Sequence, residues 1–303
     1  MFDPRYEAQV RLLLRCLPEI DRHPCLALKG GTAINLFVRD LPRVSMDADL
    51  TYLPLKPRSE ALQEIDETLR SLKWGVEQRV PGSRVRASRS GDYLIKLFIS
   101  TGDATIKVEP NLILRGSVDA PQARDLSPTA QEHFEVFVSV KTLSTADLYG
   151  GKLCAALDRQ HPRDLFDVKL LLDDKGISPE IRRAFVVYLA EHGRPMSELL
   201  APMLRDIERL YREQFIGMTR VEVLLDDLVR VQRSLANILV RALDDDEKEF
   251  LLSMKRGEPE WHRLGIEHLA QLPGIQWKII NIRKMDSGKR KAALERLTRI
   301  LAT

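Results

Sequence analysis

The spacing of apolar residues changes once along this chain, near residue 144, and that change limits the fold more than any other feature. The segments WGVEQRV (74–80), SRVRAS, YLIKLFIS, ATIKVEP and FEVFVSVKTL (134–143) alternate apolar and polar residues and are parted by PG, SG and TGD turns. Alternate residues of a strand point to opposite faces, so these segments predict an antiparallel or mixed sheet. Beyond about residue 144 the apolar residues recur every third or fourth position, the pattern of helices buried along one face. TADLYGGKLCAAL with Thr145 as a cap, PRDLFDVKLLLDDKG from Pro162 to Gly176, SPEIRRAFVVYLAEHG and the long TRVEVLLDDLVRVQRSLANILVRAL all follow it. Upstream, residues 5–17, 32–38 and 59–73 read as helices, and CLALKG (25–30) and ADLTYL (48–53) as strands. The expectation is an α+β chain: a mixed sheet with flanking helices over 1–143, then an α-helical half over 144–303.

With 303 residues, 44% hydrophobic and 30% charged, the chain can bury a core and is not of disordered composition. No apolar run approaches the ~18 residues of a bilayer span, so no membrane partner is expected. The opening MFDPRYEAQVRLLLRCLPEI has no basic segment ahead of an apolar one and reads as an amphipathic helix rather than a signal peptide. Cys16, Cys25 and Cys154 lack CxxC spacing, and the histidines form no HExxH pair. Both facts speak against a disulfide framework or a zinc site and fit a reducing cytoplasm. The net charge of +3 decides little by itself. Two basic clusters matter more, one of Arg79, Arg84, Arg86 and Arg89, the other from Lys278 through Arg283, Lys284, Lys289, Arg290, Lys291 and Arg296 to Arg299. Such clusters are either solvated faces or phosphate-binding patches.

Four motifs carry candidate chemistry. Gly30-Gly31-Thr32 follows a strand and opens a helix, where the backbone can approach a phosphate and Lys29 and Thr32 can add a charge and a hydroxyl. Asp47 and Asp49 alternate on a strand and so share a face; they are either two exposed acids at a strand entry or a pair whose repulsion a hard cation such as magnesium relieves. Glu109 shares a face with Lys107 and would make a third carboxylate if its strand lies beside that of Asp47. Lys152 follows a second Gly-Gly pair, with Asp164 and Asp167 on the next helix. Asp164 there reads as either a functional acid or a charge at a helix N-terminus, and Asp167 reads as a surface ion-pair residue.

KGGTAINLF followed by R-x-S-x-D-x-D-L resembles the signature of the polymerase-beta-like nucleotidyltransferases. YGGKLCAALDRQHPRDLFDV, together with the tail EKEFLLSMKRGEPEWHRLGIEHLAQLPGIQWKIINIRKM, resembles the AbiEii/AbiGii toxin branch of that superfamily, which includes MenT-like toxins. The resemblance covers nearly the whole chain. It implies a nucleotidyltransferase-like sheet domain over 1–143 and a helical domain over 144–303 that completes the active site and carries a basic tail. It further implies a toxin of a two-gene, abortive-infection-like system that moves NMP from an NTP onto RNA, with the 3′ end of tRNA foremost, and so blocks translation. The implied cofactor is Mg2+ or Mn2+, and the implied partner an AbiEi-like antitoxin. Carried over by motif, Gly30, Gly31 and Ser45 hold the triphosphate with help from Lys29 and Thr32. Asp47 and Asp49, with Glu109 as a third ligand, hold metal; Lys152 meets phosphate, and Asp164 is the second acid. Arg84, Arg86, Arg89 and Lys284 are the expected RNA contacts. The alternative acceptor is a protein or a small molecule such as an aminoglycoside.

Overall fold

The computed structural model describes residues 2–102 and 104–302. The chain divides into two compact units, Met1–Ser144 with Ile216–Glu222, and Thr145–Phe215 with Val223–Thr303.

The first unit holds α1 (Pro4–Asp21), β1 (Leu26–Lys29), α2 (Gly30–Ala33), β2 (Ala48–Tyr52), α3 (Arg58–Arg79), β3 (Arg84–Ser90), β4 (Tyr93–Thr101), β5 (Ala104–Asn111), β6 (Gln122–Asp125), α4 (Pro128–Phe134) and β7 (Ser139–Thr142). Its seven strands form one mixed sheet in the order β3-β4-β5-β2-β1-β7-β6. The β2/β5 and β1/β7 pairs are parallel and the others antiparallel. Period-two patterning gives this sheet two unlike faces. Ala48, Leu50, Leu97, Ile99, Ile106 and Val108 are buried on the side covered by α1 and α3, where the Tyr52 hydroxyl donates to Glu64 of α3 at 2.5 Å. Asp49, Lys96, Phe98, Lys107 and Glu109 stand on the opposite face, each partly exposed. The segment Ile216–Glu222 returns to this unit, where Val44 N–H donates to the Met218 carbonyl and Arg220 N–H to that of Pro42.

Two expected strands are corrected here. WGVEQRV is the last turn and a half of α3, because Leu69, Leu72 and Val76 continue one buried helical stripe. FEVFVSVKTL yields only the four residues of β7, its first residue ending α4. Gly30 to Val38 is one short helical run whose second half is a π turn.

The second unit is helical: α5 (Thr145–Arg159), α6 (Pro162–Asp173), α7 (Pro179–Glu191), α8 (Met196–Leu200), α9 (Glu208–Gln214), α10 (Leu225–Ala242), α11 (Asp245–Arg256), α12 (Pro273–Arg283) and α13 (Ser287–Leu301). The expected long helix from Thr219 starts instead at Leu225, because residues 219–222 belong to the sheet unit. Among the described residues no helix is long and apolar enough to cross a membrane.

Gly150 and Gly151 lie inside α5, as the helical reading of TADLYGGKLCAAL expects. A Cβ at Gly150 would fall 2.8 Å from the backbone carbon of Ala184 and from the nitrogen of Phe185, both in α7. The glycine therefore lets two helix backbones touch. Gly150→Ala is expected to cost about 1–3 kcal/mol through overpacking despite alanine's better helix propensity, read as a lower urea midpoint.

Candidate active site

The chain passes from β1 into the Gly-Gly turn beside β2. Gly30 has a φ of +72°, and a Cβ there would lie 3.1 Å from Asp49 Oδ2. Both facts demand glycine, and both follow from bringing the turn against the carboxylate. Gly31 is restricted by space alone, since its Cβ would lie 2.5 Å from Arg43 Nη2 and 3.0 Å from Ser45 Oγ. Arg43 is 2% exposed and donates to the Val44 carbonyl at 2.9 Å, so it braces the turn from beneath. Arg43 opens the R-x-S-x-D-x-D-L run, yet no local pattern distinguishes a buried guanidinium from a surface one. Thr32 Oγ1 donates to the Asp47 carbonyl at 2.6 Å and lies 3.1 Å from Ser45 Oγ. Both hydroxyls are buried, and that of Thr32 fixes the backbone just ahead of β2.

Register places the charged side chains of the open sheet face in two rows. Lys29 pairs with Asp49, and Asp49 with Glu109; Lys96 lies across from Glu109 with Nζ 2.8 Å from Oε1. Asp47, one residue before the Ala48–Val108 pair, stands level with Lys107, which pairs with Phe98, which pairs with Arg86. Lys107 Nζ is 3.0 Å from Glu109 Oε2 and 3.9 Å from Asp49 Oδ1. Burial works against the Lys107 charge, but Asp47, Glu109 and Asp49 together raise its pKa above the ordinary lysine value. Burial likewise opposes the Glu109 charge, yet Lys96 and Lys107 hold its carboxyl below the ordinary range.

These pairings bear on the metal. Asp47 and Asp49 present hard oxygens on one face, and Asp49 is 43% exposed, which fits one divalent ion completed by substrate phosphate oxygens. Glu109, expected as a third ligand, has its carboxylate paired to two lysines. Among the described residues no group of three acidic, histidine or cysteine side chains is placed to hold a metal.

In the helical unit, Lys152 of α5 reaches Asp164 Oδ1 at 3.0 Å and Asp167 Oδ2 at 2.9 Å, both on α6, and all three side chains are buried. Arg159 Nη2, largely exposed, lies 3.0 Å from Asp164 Oδ2. Desolvation pushes the Asp164 pKa up, but Lys152 and Arg159 more than offset it and hold the carboxyl below the usual range. Asp167 is therefore no surface residue; it is 1% exposed and is half of the carboxylate pair that Lys152 neutralises.

The basic clusters divide on inspection. Arg84 and Arg86 point from the open face of β3 and are exposed. Arg89, an odd-numbered neighbour, lies on the other face near Asp66 of α3. Arg79 pairs with Glu19 at 2.9 Å. In the tail, Lys284 is exposed at the end of α12, whereas Lys278 is buried and donates to the His192 and Arg194 carbonyls.

A model of the nucleotidyl transferase AbiEii toxin family, type IV toxin–antitoxin system, matches residues 11–278. No curated protein matches the chain. Among solved structures, the nucleotidyltransferase toxin MenT4 from Mycobacterium tuberculosis H37Rv is similar, with a TM-score of 0.58 and 18% identity over 88% of this chain and 92% of that one. At that identity the likeness speaks for the fold, a mixed sheet with helices. The family match takes in the Gly-Gly turn, both aspartates and the Lys152 helix alike, and so the chain belongs to the AbiEii family of nucleotidyltransferase toxins of type IV toxin–antitoxin systems.

Proposed function

We propose that this toxin transfers NMP from a nucleoside triphosphate to the 3′ end of an RNA, with tRNA as the acceptor, and thereby blocks translation. The observation that carries this reading is the close approach of the Gly30 backbone to the Asp49 carboxylate, where a Cβ would lie 3.1 Å from Oδ2, on the sheet face that Asp49 shares with Asp47. Gly30, Gly31 and Lys29 would receive the triphosphate, while Thr32 and Ser45 keep the Asp47 backbone in register with it. A divalent cation held by Asp47 and Asp49 would neutralise phosphate charge and align the reacting atoms. The RNA hydroxyl oxygen forms a bond to the α-phosphorus, the bond to the bridging oxygen breaks, and pyrophosphate leaves. Glu109, kept ionised by two lysines, is a poor base for the hydroxyl proton, which is released to water. Its role is instead to hold Lys107 and Lys96 beside the acceptor strand. Lys152 and Asp164 are proposed as a pair required for activity, and Lys284 as a further RNA contact. The antitoxin partner is proposed to be AbiEi-like. A cationic acceptor such as an aminoglycoside would meet like charge at the β3 edge of the sheet face, where Arg84 and Arg86 stand.

The test is incubation with magnesium, each α-labelled NTP in turn, and total tRNA. Label on tRNA is expected, with one NTP preferred; label on protein alone would transfer the proposal to a protein acceptor. RNA binding should also weaken with salt, with a log–log slope of about −2 for three single-strand phosphate contacts.

A further inference from the structure

On the open face of the sheet, the row that begins at Asp47 does not end in charge alone. Next to Lys107 stands Phe98, a half-buried ring on a face otherwise polar. The Arg86 guanidinium lies 4.6 Å from its centroid and Lys96 Nζ 6.0 Å from it. Arg84 follows two residues along β3, opposite Ser100. Both arginines are exposed, and among the described residues neither has an acidic partner. An edge strand benefits from charge to prevent pairing with another chain. That need explains arginines on β3, but not an aromatic ring on the inner neighbour β4 beneath two cations. Neighbouring strands lie about 4.8 Å apart, so the row from Asp47 to Arg86 spans about 14 Å. Cations beside a half-buried ring suit a single strand: its phosphates meet charge, and its bases meet a flat surface whatever their identity.

We propose that Asp47, Lys107, Phe98 and Arg86 form a track for the single-stranded 3′ end of the acceptor RNA, with the Phe98 ring and the Arg86 guanidinium stacked over it as the platform for a base and Arg84 gripping the phosphate beyond it. The proposal rests on the RNA-transfer reading above and extends it to the residues that position the acceptor. It follows that a base-paired end lacking an overhang is excluded, since only an unpaired base offers its face to the ring.

The test uses the full chain and a dye-labelled single-stranded RNA oligonucleotide, with binding followed by anisotropy. Phe98→Leu keeps the apolar bulk and removes the aromatic face. It is expected to weaken RNA binding, and to raise the KM for tRNA, by roughly 10- to 100-fold. The KM for NTP and the melting temperature should hold. Phe98→Tyr should restore binding, and Arg86→Ala should lower it and reduce the salt slope. RNA affinity unchanged in Phe98→Leu, while the wild type still labels tRNA, would overturn the track and leave the RNA-transfer reading standing. A rise in the KM for NTP alone would overturn it by assigning the ring to the incoming nucleotide. If the wild type neither binds nor labels RNA, the reading beneath the track falls, and the track with it.

Discussion

Asp49→Asn is expected to lower the rate of nucleotide transfer by about 10²- to 10³-fold, some 3–4 kcal/mol of transition-state stabilisation. The same change should leave the melting temperature level or slightly higher. The side chain is 43% exposed, so little packing is lost. Asp49 also faces Glu109 across a parallel pair and shares its face with Asp47, and the repulsion relieved on removing its charge offsets the lost attraction to Lys107 at 3.9 Å. Activity therefore falls without a loss of stability, which separates a functional carboxylate from a structural one. Transfer measured with α-labelled NTP beside a thermal melt gives both readings. Turnover within roughly tenfold of wild type would remove Asp49 from the chemistry.

The second large effect is on stability. Lys152→Ala removes the cation that neutralises Asp164 and Asp167, both buried. Breaking a buried ion pair from one side costs about 3–5 kcal/mol, because the partner charge stays in the interior. The loss should depend on pH with a defined sign. In the wild type, Asp164 has a lowered pKa, so its contribution is present above the unfolded aspartate value of about 3.9 and is lost as pH falls through the lower folded value. In Lys152→Ala the carboxylates have lost their main counter-charge and titrate upward, so the variant gains on acidification from pH 8 to 5 while the wild type does not. Urea unfolding of both proteins at the two pH values measures this. An equal deficit at both would mean that the carboxylates are not held in their charged form by Lys152. Lys152→Arg, which keeps the charge, is the companion for activity assays.

The parts of this molecule that were legible in the sequence are those that a repeating period or a backbone requirement writes locally. Alternation along ADLTYL and ATIKVEP put Asp49 and Glu109 on defined faces, and the parallel β2/β5 pair joins them. Where a second element decides, local pattern misled. WGVEQRV alternates well enough to pass for a strand, yet it follows a helix whose apolar stripe it extends. The helix through the second Gly-Gly pair was legible, but the need for its glycine was not: it comes from the backbone of α7, which no window around residue 150 contains. Asp167 has the spacing of a surface acid until Lys152, fifteen residues earlier, is folded against it. Arg89 differs from Arg84 and Arg86 only by parity on one strand, and parity alone puts it on the other face.

The return of Ile216–Glu222 to the sheet unit sets an order of events during synthesis. These residues hydrogen-bond to Asp3, Pro42 and Val44, either side of the Gly-Gly turn in sequence. A nascent chain that has delivered only the first 215 residues has every strand of the sheet but not the strap that supports the segment leading into Asp47. The sheet unit thus completes only after all of α5–α9 has left the ribosome, and a prematurely terminated product of that length is born without the strap beneath the segment leading into Asp47. For a protein whose activity harms the cell that makes it, truncation would then yield a harmless fragment rather than a live one.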